Sequence, residues 1–157
     1  MKILAWDQSS TYAGWSYFVD GKYVDSGVID KHKIDNTDER IGAMGLAICS
    51  KIKELMPSCV IAEDIQNQNN VKSVISLARL QGCLVLYCAS KGIELKFLHP
   101  TQWRKALGYR QGSKIKRTEL KQQSADYVKE HFGFDNFSED RNEAICIGVA
   151  AQKILND

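Results

Sequence analysis

No apolar run in this sequence approaches the roughly 20 residues a membrane span needs. The start reads as carrying no secretory leader: after Met1-Lys2 the apolar stretch runs only from Ile3 to Trp6, and Asp7 interrupts it. No two cysteines stand in CxxC spacing. The five present, Cys49, Cys59, Cys83, Cys88 and Cys146, are odd in number and sit among apolar neighbours. That pattern fits buried free thiols in a reducing cytoplasm and speaks against a zinc site. Strong charge of one sign is missing as well. The formal net charge is only +2, so composition alone announces no nucleic-acid partner. No repeat, low-complexity tract or linker divides the chain, and 157 residues suit one domain over 1–157.

The charge that is present is unevenly placed. Arg104, Lys105, Arg110, Lys114, Lys116, Arg117 and Lys121 fall in one segment with only Glu119 against them, a local +6. The remainder of the chain is therefore net acidic. A basic segment on a near-neutral body is the footprint of a phosphate-binding surface, although a merely solvated helix face has the same composition.

Periodicity supplies the elements. Lys2 to Trp6 reads as a buried strand. Ala13 to Val19 and Lys22 to Ile29, joined by Asp20-Gly21, read as a hairpin. Asp38 to Leu55 has helical spacing, Cys59 to Ala62 is a short strand stopping at Glu63-Asp64, and Gln66 to Asn70 is a polar loop. A long helix over Val71 to Lys91 is closed by Gly92. Ile93 to Leu98 is a fifth strand, terminated by His99-Pro100. A short helix near Gln102 to Leu107 lies in the basic segment, followed by helices over Lys114 to His131 and Glu139 to Leu155. The order βββαβαβαα predicts an α/β fold: a mixed five-stranded sheet with helices on both faces.

Four carboxylates stand out by position. Asp7 follows the first strand's apolar run and Glu63 ends the fourth's. Asp140 and Glu143, spaced i and i+3, share one face of the last helix. If the first and fourth strands are neighbours, Asp7 and Glu63 lie side by side, and the last helix need only dock there to complete a cluster. Clustered carboxylates repel, and hard divalent cations with oxygen preference relieve the repulsion. Two such ions about 3.5–4 Å apart can activate a water and stabilise the leaving oxygen of a phosphodiester. Each acid alone has a plainer explanation. Asp7 could be turn chemistry, Asp64 competes with Glu63, and Asp140 could simply complement a helix dipole.

Taken in order, these motifs resemble the RuvC-type Holliday-junction resolvases over nearly the whole length. The family opens with a strand ending in D-x-G-S and a Gly four residues on; here Asp7, Ser10 and Gly14 match and Ser9 replaces the Gly. Its next strand ends in I-E, similar to Val60-Ile61-Ala62-Glu63, which selects Glu63 over Asp64. Its long helix resembles Leu77 to Ser90, and its P-[ST]-x-x-K motif resembles Pro100-Thr101-Gln102-Trp103-Arg104, with Lys105 adjacent. A Gly-containing loop and basic helix resemble Gly112 to Lys121, and D-x-x-[DE]-A matches Asp140-Arg141-Asn142-Glu143-Ala144.

The resemblance implies a ribonuclease-H-like fold and a structure-selective endonuclease. It would nick four-way DNA junctions as a homodimer, with forks and flaps as further candidate substrates. Asp7, Glu63, Asp140 and Glu143 would be catalytic and hold two Mg²⁺ or Mn²⁺ per site. Arg104, Lys105, Arg110, Lys114, Lys116, Arg117 and Gln66 would contact DNA, with Arg104 and Arg117 the best matches to the family's basic positions. The helix over Val71 to Lys91, apolar on more than one face, is the expected dimer element.

Two positions depart from the family. An aromatic that contacts junction bases is replaced by Gln66, which predicts relaxed discrimination unless Tyr12, Trp103 or Tyr109 supplies the stack. The fourth acid is Glu143, where cellular members often carry Asp or His. The chain is expected in the cytoplasm, of a bacterium or of a phage-infected host, and its shortness points weakly to a phage-type member. The rival expectations are a non-catalytic branched-nucleic-acid-binding or RNA-processing relative, and an actin-like phosphotransferase, which would normally need two such domains.

Overall fold

The computed structural model describes residues 1–66 and 70–156. Asn67, Gln68 and Asn69, most of the expected polar loop, lie outside the described residues.

The chain opens with three strands, β1 (Lys2–Gln8), β2 (Tyr12–Val19) and β3 (Lys22–Asp30). Helix α1 (Thr37–Leu55), strand β4 (Cys59–Glu63), helix α2 (Val71–Lys91) and strand β5 (Glu94–Leu98) follow. Three helices close it: α3 (Pro100–Ala106), α4 (Arg117–Phe132) and α5 (Glu139–Asn156). The five strands form one sheet in the order β3-β2-β1-β4-β5. The hairpin pairs are antiparallel, while β1–β4 and β4–β5 are parallel. The neighbourhood of β1 and β4, conditional on sequence grounds, is therefore real.

Both sheet faces are covered, which explains why β1 and β4 read as unbroken apolar runs. Leu4, Trp6, Val60 and Ala62 face one way and pack with Met44, Ile48 and Ile52 of α1 and with Leu80 and Leu84 of α2. Ile3, Ala5, Cys59 and Ile61 face the other way, toward Trp103 of α3, Val128 of α4 and Ile145, Ile147 and Ala151 of α5. All five cysteines are free. Burial pushes the Cys59 and Cys88 thiols up to about 11 and Cys146 up to about 12, so these three are packing residues rather than nucleophiles.

Element boundaries differ from expectation for physical reasons. β1 continues through Asp7 and Gln8 because these residues pair with Gly14 and Ala13 of β2. The short helix begins earlier, at Pro100, where a missing N–H costs nothing; the His99 side chain accepts from the Thr101 amide at its start. α4 begins at Arg117 rather than Lys114, and the Lys116 amide donates to Glu119 Oε1 at 3.0 Å. By length and composition α2 could cross a bilayer, which the sequence pattern did not suggest. Its buried stripe of Leu80, Gln81, Leu84 and Cys88 instead packs on the sheet, and the remaining apolar face stays exposed.

Candidate active site

Side-chain alternation on β1 and β4 sends Asp7 and Glu63 to the same face as Ile3, Ala5, Cys59 and Ile61, the face covered by α3 and α5. Asp64 is exposed and lies on the rim. The start of α5 docks above Asp7 and Glu63 because two glycine contacts permit it. A Cβ at Gly14 of β2 would stand 2.0 Å from the Asp140 carbonyl oxygen, and one at Gly148 of α5 would stand 2.4 Å from the Phe18 ring. Ser16 Oγ fixes the crossing by donating to the Ala144 carbonyl at 2.7 Å. Asp140 and Glu143 are thereby brought to the same cleft as Asp7 and Glu63, a cavity of about 1210 Å³ over the carboxyl ends of β1 and β4.

Mutual repulsion and burial mark this cluster. Burial raises the Asp7 carboxyl well above the usual range, and Glu143, Glu63 and Asp140 raise it further. The Asp7 and Glu143 carboxyls stand side by side, a contact that raises Asp7 and by itself lowers Glu143. Burial, then Glu143, pushes Glu63 up to about 7 against the opposing pull of Arg104. Burial also raises Glu143, opposed by Arg104, and Asp140, opposed by Lys121.

Arg104 is the internal counter-charge. Its Nη2 lies 3.6 Å from Glu63 Oε1 and 3.8 Å from Glu143 Oε1, and its side chain is 13% exposed. The guanidinium stacks on Trp103 at 4.9 Å, and Trp103 Nε1 donates to Glu63 Oε1 at 3.4 Å. Arg104, expected on an open phosphate track, therefore spends its charge on the acids.

The other expected site residues divide. Gln66 and Arg117 line the cleft, whereas Lys105, Arg110, Lys114 and Lys116 are exposed outside its lining. Lys121 lines the cleft and pairs with Glu139. Of the candidate stacking rings, Trp103 is fully buried, and the Tyr109 hydroxyl is held by Ser124 and Cys146. Tyr12 alone of the three is exposed, and it stacks on His32 at 6.0 Å. Sequence reasoning missed Arg40, Lys72 and Arg79, which also line the cleft. The one available signal was the spacing Lys72, Ser76, Arg79, a single stripe of α2.

Comparison with known proteins settles the relationship. Residues 6–150 match the family model described as "Crossover junction endodeoxyribonuclease RuvC". This chain belongs to the RuvC family. Among curated RuvC proteins, that of Neorickettsia sennetsu is 27% identical over 86 residues, covering 55% of this chain and 52% of the relative. The match thus spans about half of that relative's length. The RuvC of Sphingopyxis alaskensis is 26% identical over 111 residues, covering 68% of this chain and 71% of the relative.

The solved "T. thermophilus RuvC in complex with Holliday junction substrate" superposes with a TM-score of 0.79 at 15% identity, covering 99% of this chain and 96% of that one. The yeast mitochondrial Holliday junction resolvase Ydc2 gives 0.61 at 12% identity, over 96% and 77%. These likenesses establish the expected ribonuclease-H-like α/β fold.

Proposed function

We propose that this RuvC-family chain, taken as one nuclease domain, is a metal-dependent endonuclease that nicks four-way DNA junctions. Asp7, Glu63, Asp140 and Glu143 are its catalytic and metal-binding residues in this proposal. The observation that carries it is the convergence of these four acids, from two strand ends and one helix, in a single open cleft with Arg117 and Lys121 beside them.

The donor set suits a hard divalent cation, since every candidate ligand is a carboxylate oxygen. Among the described residues, no three His, Cys, Asp or Glu side chains are already grouped to hold one ion. Mg²⁺ commonly takes one or two carboxylates and completes its sphere with substrate phosphate and water, so a larger preformed group is not required. When bound, two Mg²⁺ or Mn²⁺ ions would supply water activation and leaving-group stabilisation. The chain's own part is to present the carboxylate oxygens and to offset residual charge through Arg104.

Lys105, Arg110, Lys114, Lys116, Arg117 and Gln66 are the proposed DNA contacts, while Arg104, expected among them, is kept as the counter-charge of the acids. The enzyme would work in the cytoplasm of a bacterium or phage-infected host. It would act as a homodimer through α2, because two nicks need two sites. Along α2, Ile75, Ala78, Gly82, Val85, Leu86 and Ala89 form an exposed stripe at helical spacing. Discrimination among junctions, forks and flaps would be relaxed. Gln66 offers no ring, and stacking on an aromatic contributes about 1–3 kcal/mol per base.

The test is Mg²⁺-dependent nicking of a synthetic junction by Asp7→Asn and Glu63→Gln proteins. Both should bind and not cut. Wild-type rates in either would sink the assignment. Mapping nicks across junctions of varied core sequence checks the relaxed discrimination, which a single short consensus with forks untouched would refute.

A further inference from the structure

The cleft does not end at the acids. Its volume of about 1210 Å³ exceeds the roughly 300–1,000 Å³ of a small-molecule pocket, and it continues past β1 to the opposite sheet face. There it is walled by the first turns of α1 and the N-terminal half of α2. That wall carries Arg40, Lys72 and Arg79 with the hydroxyls of Ser73 and Ser76. Lys72, Ser76 and Arg79 share one stripe of α2. Arg40 is fixed in place by the carbonyls of Ile34 and Asp35 at 2.8 and 3.3 Å. Asp38 also lines the wall and holds Arg79 at 2.8 Å, yet both side chains are more than half exposed, so the pair is screened and readily exchanged.

A second observation lies between this wall and the acids. Gln8 follows Asp7 on β1, so alternation turns it to the α1–α2 face, with Trp6 behind it. It lines the cleft and is 6% exposed, and its Oε1 and Nε2 have no partner among the described residues, nor has Trp6 Nε1. Buried polar atoms are rarely left unmatched. A nucleotide brings both acceptors, on its phosphate, and donors, on its base edge.

We infer that this α1–α2 wall is a second phosphate-binding surface. It holds the backbone of the cut strand on the side of the scissile phosphate opposite to Arg117 and Lys121. The acids repel the strand at the centre, and positive charge on both flanks keeps it seated. The inference rests on the nuclease reading above.

The experiment uses full-length protein and four-way junctions carrying one neutral methylphosphonate linkage, stepped along the cut strand. Wild type should lose affinity at linkages on both sides of the cut. A Lys72→Ala/Arg79→Ala double variant should lose that sensitivity on one side only. Its binding should also show a salt slope flatter by about 1.8 units, for two lost contacts. An Arg117→Ala/Lys121→Ala variant should lose sensitivity on the other side. Lys72 and Arg79 are exposed, so thermal melting and oligomeric mass should match wild type. A double variant with the wild-type interference profile and salt slope overturns the second surface while leaving the nuclease reading intact. Wild-type protein that neither binds nor nicks a junction overturns both.

Discussion

A hydrogen atom in place of a methyl group at Gly14 decides where an acid stands. Its neighbour across the packing is the Asp140 carbonyl, 2.0 Å from where a Cβ would be. Gly14→Ala must push the start of α5 outward and carry Asp140 and Glu143 with it. Overpacking of this kind costs about 1–3 kcal/mol, and a displacement near 1 Å at a reacting centre can cost about 100-fold in rate. The expected outcome is a lower melting temperature and a much slower nick with junction binding retained; a rate within twofold of wild type would count against it. The sequence showed that Gly14 belonged to a motif. It could not show why, because Asp140 lies near the other end of the chain. The same limit hid the place of Arg104, singled out as a phosphate contact until the fold sets it 3.6 Å from Glu63.

Helices and strands were more legible than their ends. All five strands and the long helices followed from periodicity, because each buries a regular stripe. β1 ran two residues beyond its apolar run because hairpin pairing, not hydrophobicity, holds Asp7 and Gln8 in the strand. Helix α2 shows what periodicity could and could not say. Its surplus apolar residues were visible, but which of them face outward depends on how the helix lies on the sheet. At Gly82 a Cβ would meet nothing within 4 Å of its own chain. Gly82→Leu should therefore leave the protomer intact and strengthen the helix by up to about 1 kcal/mol, while blocking close approach of a second α2. If the chain forms the proposed α2 homodimer, sedimentation should show the variant as a monomer where the wild type is a dimer. A dimer of wild-type affinity would place the interface elsewhere.

Across the whole molecule, the buried acid cluster makes stability depend on pH. Glu63 moves from an ordinary 4.5 to about 7 on folding, mainly through burial. A folded pKa above the unfolded one means stability present below about 4.5 and lost as pH rises through about 7. Asp7, Asp140 and Glu143 shift in the same direction. In chelator, the melting temperature should fall from about pH 5 to pH 8, with Glu63 contributing at most about 1.4 kcal/mol per pH unit. Mg²⁺ should restore it at the alkaline end, and Glu63→Gln should flatten the profile; a flat wild-type profile would contradict the account. The cluster's origin along the chain has a temporal side. Asp7 arrives with β1, Glu63 with β4, and Asp140 and Glu143 only with α5, which also completes the second core. A ribosome-bound chain still lacking α5 carries two of the four acids and an open sheet face. Loss of that helix by proteolysis would leave a fragment with only two of the four acids, so on the proposed reading cutting would wait for α5 to be made and docked.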